Sequence, residues 1–439
     1  MKFEQIRKNI LHAGVAVALV AGMATTLPSA YAGGKITIDD TKWISIGMGI
    51  RGGFTSAQNA SADGNDYSNG FGINNARIYI NGQIHKNVKF TFNTECFACS
   101  KTYDGGSGGQ FTNGTSGGFG NTSSIGVLDI IAKFEFNKYV NLWAGRTLAN
   151  TERGELNGPF YHATFEGFKT PFFPQDYSGN FGNGSIGNNA GGGMYGRDDG
   201  VVFFGELGVP QPFGMGEGQL QYSAGVFNGT RSTSTLGPNR SNAASWTGRL
   251  TYNFLNPERN PGYYTSGTYY GGGGDILAVA VGVNHQKDGA GSIGYKADFT
   301  GLVTDLLFEK VLDNNMGVLT FNGEYKRFWA EYANAANSDA SCMCVFRGQS
   351  WTLYGLYLIP HKVGIGRFQP YGRFTSVQPD SSSKREEIEG GVNYVIDGHN
   401  ARISAFYQHG DLYTKGLNYG TGASGAKIDK FTVAFQLQI

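Results

Sequence analysis

The last stretch of the chain, Lys427 to Ile439, reads KIDKFTVAFQLQI. Successive side chains of an extended strand point to opposite faces, so Phe431, Val433, Phe435, Leu437 and Ile439 share one side. Lys430, Thr432, Ala434, Gln436 and Gln438 share the other. Such a strand is apolar on one side and wet on the other. Which surroundings its apolar side meets, a protein core or lipid, decides the fold.

The pattern recurs. In INNARIYINGQI, residues 73–84, Ala76, Ile78, Ile80 and Ile84 oppose Asn75, Arg77, Tyr79, Asn81 and Gln83. In VLDIIAKFEF, residues 127–136, Leu128, Ile130, Phe134 and Phe136 oppose Asp129, Lys133 and Glu135. The segments 245–254 and 386–396 repeat it, and about sixteen such segments of about ten residues fill the chain. Their connections alternate mostly short and long: HKN at 85–87, NK at 137–138 and DGH at 397–399 are tight, and the spans between are long and rich in Gly and Asn. These features predict an all-β protein, a transmembrane antiparallel β-barrel of about sixteen strands, because only a closed barrel satisfies every strand in lipid. Aromatic residues near strand ends, among them Tyr139, Tyr252, Trp329 and Tyr407, suit the two interfacial girdles. One connection breaks the alternation: NPERNPGYYTSGTYYGGGG, residues 256–274, is long where a short periplasmic turn is expected.

Composition agrees. The chain has 69 glycines, 14% aromatic and only 16% charged residues, rich in turn and strand formers. Lys2, Arg7 and Lys8 precede an apolar run from Ile10 to about Ala24 and a small-residue site at Ala30-Tyr31-Ala32, which reads as a secretory signal peptide over residues 1–32. Without that leader, 32 basic residues face 33 acidic ones, so no bulk charge argues for nucleic acid. Residues 33–439 contain no linker and read as a single barrel domain. No stretch approaches the roughly 18 apolar residues of a spanning helix.

The arrangement resembles the Gram-negative outer-membrane porins of the phosphate-selective O and P type. The resemblance lies in WISIGMGIRGGF, NNARIYINGQIHKNVKFTFNTE, VNLWAGR followed by a long third loop, YGRDDGVVFFGEL and LQYSAGVFNG. It implies a homotrimer of sixteen-stranded barrels, each with a third loop folded inward to narrow the pore. The family's ladder of arginines and cluster of lysines is not concentrated here, and the chain ends in Ile439 where the barrel-assembly signal usually ends in Phe.

Read literally, the alternation gives the lumen Arg77, Lys89, Lys133, Arg249, Lys296, Lys326, Arg373 and Arg402 against Glu95, Asp129, Glu135, Asp298, Glu324, Glu387 and Glu389. That near balance predicts weak selectivity unless the narrowest point is biased. The constriction loop, residues 148–199, carries Glu152, Glu155, Glu166, Asp176, Asp198 and Asp199 against Arg153, Lys169 and Arg197, an excess of acid that leans toward neutral or cationic solutes. Its Phe160, Tyr161, Phe165, Phe168, Phe172 and Phe173 make it too apolar to stand in solvent. His162 is the one histidine in the predicted eyelet, and no histidine falls in a nucleophile motif, so no catalytic residue is assigned.

The four cysteines come as Cys96 and Cys99, then Cys342 and Cys344, both pairs expected in external loops. Ser100 stands where covalent haem attachment needs histidine. Disulfides, a metal or soft-oxyanion site and free thiols all stay open. The sequence reads as an outer-membrane porin passing small hydrophilic solutes or ions, with the lipid bilayer as partner and no cofactor. The alternative is a substrate-specific or metal-binding receptor channel using the external cysteines.

Overall fold

The computed structural model describes residues 33–439 except 62–63, 98–123, 176–195, 211–216, 230–240, 293–294, 331–346, 381–382 and 413–425. The expected leader, residues 1–32, lies outside the described residues, as do Cys99, Asp176, Cys342 and Cys344. The strands are β1 (Gly34–Thr37), β2 (Trp43–Ala57), β3 (Ser68–His85), β4 (Val88–Phe97), β5 (Ser124–Glu135), β6 (Asn141–Leu148), β7 (Arg197–Pro210), β8 (Glu217–Phe227) and β9 (Ser245–Asn253). They continue with β10 (Ile276–Ser292), β11 (Tyr295–Val311), β12 (Val318–Ala330), β13 (Gly348–Leu358), β14 (Arg367–Pro379), β15 (Arg385–Asp397), β16 (Ala401–Gly410) and β17 (Ile428–Gln438).

From β2 to β17 each strand pairs antiparallel with the next, and β17 returns to β2, from Lys430 opposite Ala57 to Gln438 opposite Gly49. The result is a closed antiparallel barrel of sixteen strands. Closure leaves no free edge, which is what a sheet needs where no water is present to satisfy its backbone. The short β1 adds a hairpin partner at the foot of β2, with Thr37 opposite Trp43.

Exposure runs opposite to that of a water-soluble sheet. In β3, Ile78 is 41% exposed and Arg77 6%. In β12, Phe321 and Trp329 are exposed while Thr320, Asn322, Glu324 and Lys326 are buried. The apolar side of each strand faces outward round the ring, an arrangement that only hydrocarbon stabilises. The alternation read from the sequence is therefore a division between lipid and lumen.

One strand departs from that reading. In β11 the lumen face is Phe299, Val303, Asp305, Leu307 and Glu309, all buried, whereas Asp298 is exposed on the outer face. The reason is an apolar patch inside the barrel, where Phe173 packs with Phe299, Val303 and Phe328. Inward residues are apolar there, so alternation by polarity points the wrong way. The side chain of Lys296 lies outside the described residues.

The two rims differ. One carries the short connections 86–87, 136–140, 312–317 and 398–400, together with 254–275; the other carries 149–196. The connection 254–275 and the described residues 149–175 turn back into the lumen.

Leu353 lies at the middle of β13 and is 53% exposed on the outer face. Leu353→Arg should destabilise the barrel in vesicles by about 2–4 kcal/mol, the depth-dependent cost of a cation at the midplane. Urea titration of the lipid-embedded protein checks it, with Thr352→Ser on the lumen side as the near-neutral control.

Candidate functional site

Within the connection between β6 and β7, residues 149–175 are described and lie inside the barrel. The segment opens with a one-turn helix, α1 (Arg153–Leu156), and continues as extended chain and turns. Four of its phenylalanines are docked. Phe160 meets Tyr79 at 6.2 Å, Phe165 meets Phe406 at 6.2 Å, Phe168 meets Tyr354 at 5.2 Å, and Phe173 meets Phe328 at 4.9 Å between ring centroids. All four are at most 4% exposed. Each such side chain contributes about 1.5–3 kcal/mol by burial, enough to hold the segment against the wall.

Burial leaves backbone carbonyls without water, and basic residues of the wall take its place. Arg402 Nη1 donates to His162 O at 2.8 Å and Ala163 O at 3.0 Å, and its Nη2 to Thr164 O at 3.3 Å. Arg51 donates to Phe165 O and Arg373 to Gly167 O. Lys326 Nζ donates to Pro171 O at 2.7 Å, and Arg249 Nη1 to Thr151 O at 2.8 Å. These five cations come from β2, β9, β12, β14 and β16, so the segment is tied to the wall on several sides.

Acids pair with Arg249, Lys326 and Arg373 of these five and with Arg153 of the loop. Arg153 binds Glu258 through Nη2 at 2.5 Å and Asp305 through Nε at 2.7 Å, and Arg249 binds the same Asp305. Lys326 lies 2.9 Å from Glu152 and 3.2 Å from Glu324. Glu166, Glu387 and Glu389 have carboxylate oxygens within 4.8 Å of one another. Lys169, Lys430 and Arg373 interleave with them: Lys169 meets Glu166 and Glu387, Lys430 meets Glu166, and Arg373 meets Glu387 and Glu389. Three acids against three bases make a closed network rather than an empty cation site. Burial alone would raise Glu166, yet Lys169, Lys430 and Arg373 outweigh it and hold it well below the usual carboxylate range. Glu155 is pushed the other way, by burial and then by the neighbouring Glu152.

The expected site residues thus divide. Arg249, Lys326, Arg373, Arg402, Glu324, Glu387 and Glu389 do point inward but are buried against the third loop rather than facing an open pore. Glu152, Arg153, Glu155, His162, Glu166 and Lys169 form the buried loop itself. Arg197, Asp198 and Asp199 belong to β7, not to the loop. Arg197 pairs with Asp129 at 3.0 Å, and Asp198 accepts from Gly229 N. Asp199 pairs with Arg146 opposite the exposed Ile130, on the outer face. Among the described residues of the loop, Glu152 and Glu166 are paired with bases. Cys96 is disulfide-bonded. Sequence reasoning left Arg51 and Glu258 out of the site; Glu258 sits in the very connection whose length was out of place.

What stays open to water is the arc from β3 to β8. There Lys89 binds Glu135 at 2.6 Å and Lys133 sits 3.9 Å over the Trp143 ring, whereas Arg77 and Glu95, paired at 2.5 Å, are buried, with Arg77 5.3 Å from the Phe160 ring of the third loop. A cavity of about 750 Å³ lies against this arc, with Asn81, Lys89, Lys133, Glu135, Glu206 and Gln221 in its lining. It reaches Asn137 and Lys138 at the short-turn rim.

No family model and no curated protein matches the chain. Among solved structures it is similar to Salmonella typhi OmpF in complex with daunomycin, at 12% identity and TM-score 0.51 over 92% of this chain and 100% of that one. It is similar to the anion-selective porin from Comamonas acidovorans, at 14% identity and TM-score 0.51 over 91% and 100%. The outer-membrane channel DcaP of Acinetobacter baumannii gives 12% identity and TM-score 0.50 over 93% and 100%. At such identity the likeness establishes the fold, a barrel of the outer-membrane porin type.

Arg402→Met removes the donor to three loop carbonyls and should cost more than about 3 kcal/mol, since hydrogen bonds to charged groups are each worth about 1.5–3. Urea unfolding in detergent measures the loss, and limited proteolysis should show cleavage within 159–169 that the native loop resists.

Burial, and then the nearby Arg51, lower His162 to about 3. Its Nε2 donates to Gly154 O at 2.9 Å. The unfolded chain then binds one proton more than the folded one between pH about 3 and the ordinary value of about 6.5, so stability rises with pH across that window. His162→Gln keeps an amide donor and should flatten the profile by up to about 1.4 kcal/mol per pH unit, read from urea midpoints at pH 4, 5 and 6.

Proposed function

We propose that this protein is an outer-membrane channel through which small hydrophilic solutes diffuse, with no catalytic step. The observation that carries the reading is the polar arc of the lumen left beside the packed third loop, running from β3 to β8 and containing the cavity of about 750 Å³. A fully packed interior would serve a structural barrel; a wet arc of polar side chains inside a closed barrel serves passage. The cavity reaches Asn137 and Lys138 at the short-turn rim, which in this class of fold is the periplasmic one.

Phosphate selectivity, already disfavoured by the missing arginine ladder in the sequence, receives no support from the lumen cations. Arg51, Arg249, Arg373 and Arg402 are the residues available for a ladder, and each holds a loop carbonyl. The cavity lining carries Lys89, Lys133, Lys138 and the largely buried Arg249 against Glu135, Glu206 and the largely buried Glu258, a near balance of charge. Such a lining supports weak ionic selectivity and uncharged or zwitterionic cargo. A homotrimer remains our expectation from the sequence resemblance.

Planar bilayers containing the purified protein should show stepwise conductance with a potassium-to-chloride permeability ratio within about threefold of unity, as expected for a balanced lining. A reversal potential showing strong anion selectivity would contradict the balanced arc. Absence of any conductance steps would contradict the channel.

A further inference from the structure

The connection 254–275 stands at the short-turn rim, where a β-barrel needs only a tight turn, yet it carries Tyr263, Tyr264, Tyr269 and Tyr270. It is built into the lumen by specific bonds. The carboxylate of Glu309, fully buried in β11, accepts from Thr268 Oγ1 at 2.7 Å, Tyr269 N at 2.9 Å and Gly271 N at 2.7 Å. One wall acid thus takes up a run of donors that a solvent-exposed loop would leave to water.

From there the segment reaches the third loop. Gly267 N donates to Tyr161 O at 2.8 Å, Thr265 Oγ1 to Asn157 Oδ1 at 2.6 Å, and Arg153 joins Glu258 as described. At Gly267 the two backbones touch: a Cβ there would stand 2.4 Å from Ala163 N, so only glycine fits. Across the open arc Tyr263 and Tyr264 lie 5.4 Å and 5.3 Å from Trp143, and both hydroxyls bond Thr147. Gly262, at φ +60°, allows the approach, since a Cβ would meet the Trp143 ring at 2.5 Å.

The geometry points to a second constriction, entered from the short-turn side: residues 256–274 form an inserted plug that, with the third loop, sets the cross-section of the passage, and Tyr263 and Tyr264 are its narrowing residues. This inference rests on the channel reading. A single inward loop narrows a barrel from one rim; here the inserted segments meet in the lumen, and neither closes it alone. Solutes must pass between the Tyr263–Tyr264 pair and the wall that bears Asn81, Lys89 and Lys133.

The test is to replace residues 257–273 with an Asn-Gly turn, to verify folding by heat-modifiable gel migration, and to record single-channel conductance in potassium chloride beside the parent protein. Conductance should rise at least about twofold, because the narrowest cross-section controls the current. Tyr263→Ala with Tyr264→Ala, which leaves the segment in place, should give a smaller rise and a higher size limit for sugars in liposome swelling. If the parent conducts and both folded variants conduct identically to it, the plug is wrong and the channel stands. If the parent is silent and the replacement conducts, residues 256–274 seal the passage instead of narrowing it, which overturns both the open-channel reading and this inference. If all three are silent, the channel reading falls and takes this inference with it.

Discussion

A polypeptide segment inside a barrel must satisfy its carbonyls without bulk water, and the interior of this protein is organised by that requirement. Leaving a buried carbonyl unpaired costs about 1–3 kcal/mol, and the third loop presents a row of them to the wall. Arg51, Arg249, Lys326, Arg373 and Arg402 meet that row. The charges of Arg249, Lys326 and Arg373 are met in turn by Asp305, by Glu152 and Glu324, and by Glu387 and Glu389. The phenylalanines supply attraction; the cations decide where along the wall each part of the loop sits.

This has a consequence for transport. A cation engaged by a backbone carbonyl and a carboxylate is no longer available to a passing anion. The lumen is rich in charge yet presents little of it to the open arc, where Lys89 is again paired, with Glu135. Selectivity by pore size therefore has more purchase than selectivity by charge, and the shape of the inserted segments matters more than the count of ionisable groups.

The barrel was legible because its rule is local. Each strand states its own two faces, and Phe431 through Ile439 needs no knowledge of the rest of the chain. The third loop's inward fold was legible too, from phenylalanines that solvent would not tolerate. Asp298 was misplaced because β11 faces an apolar patch created by Phe173, which lies far away in sequence. Arg373 and Arg402 were assigned to the correct face but to the wrong task, since alternation gives direction and not what stands opposite. The segment 256–274 was noticed as too long, and its four tyrosines were the available signal that it does not lie in water. What alternation could not supply was its partner, because Glu309 and Arg153 meet it only in the folded barrel.

Hydrogen–deuterium exchange of the protein in lipid vesicles, read by peptide mass spectrometry, addresses the account most directly. Residues 154–158 and 264–272 should exchange nearly as slowly as the barrel strands, because most of their amides are bonded inside the lumen. Exchange of both segments within seconds, alongside protected strands, would mean that the lumen is not filled from both rims and would contradict the account.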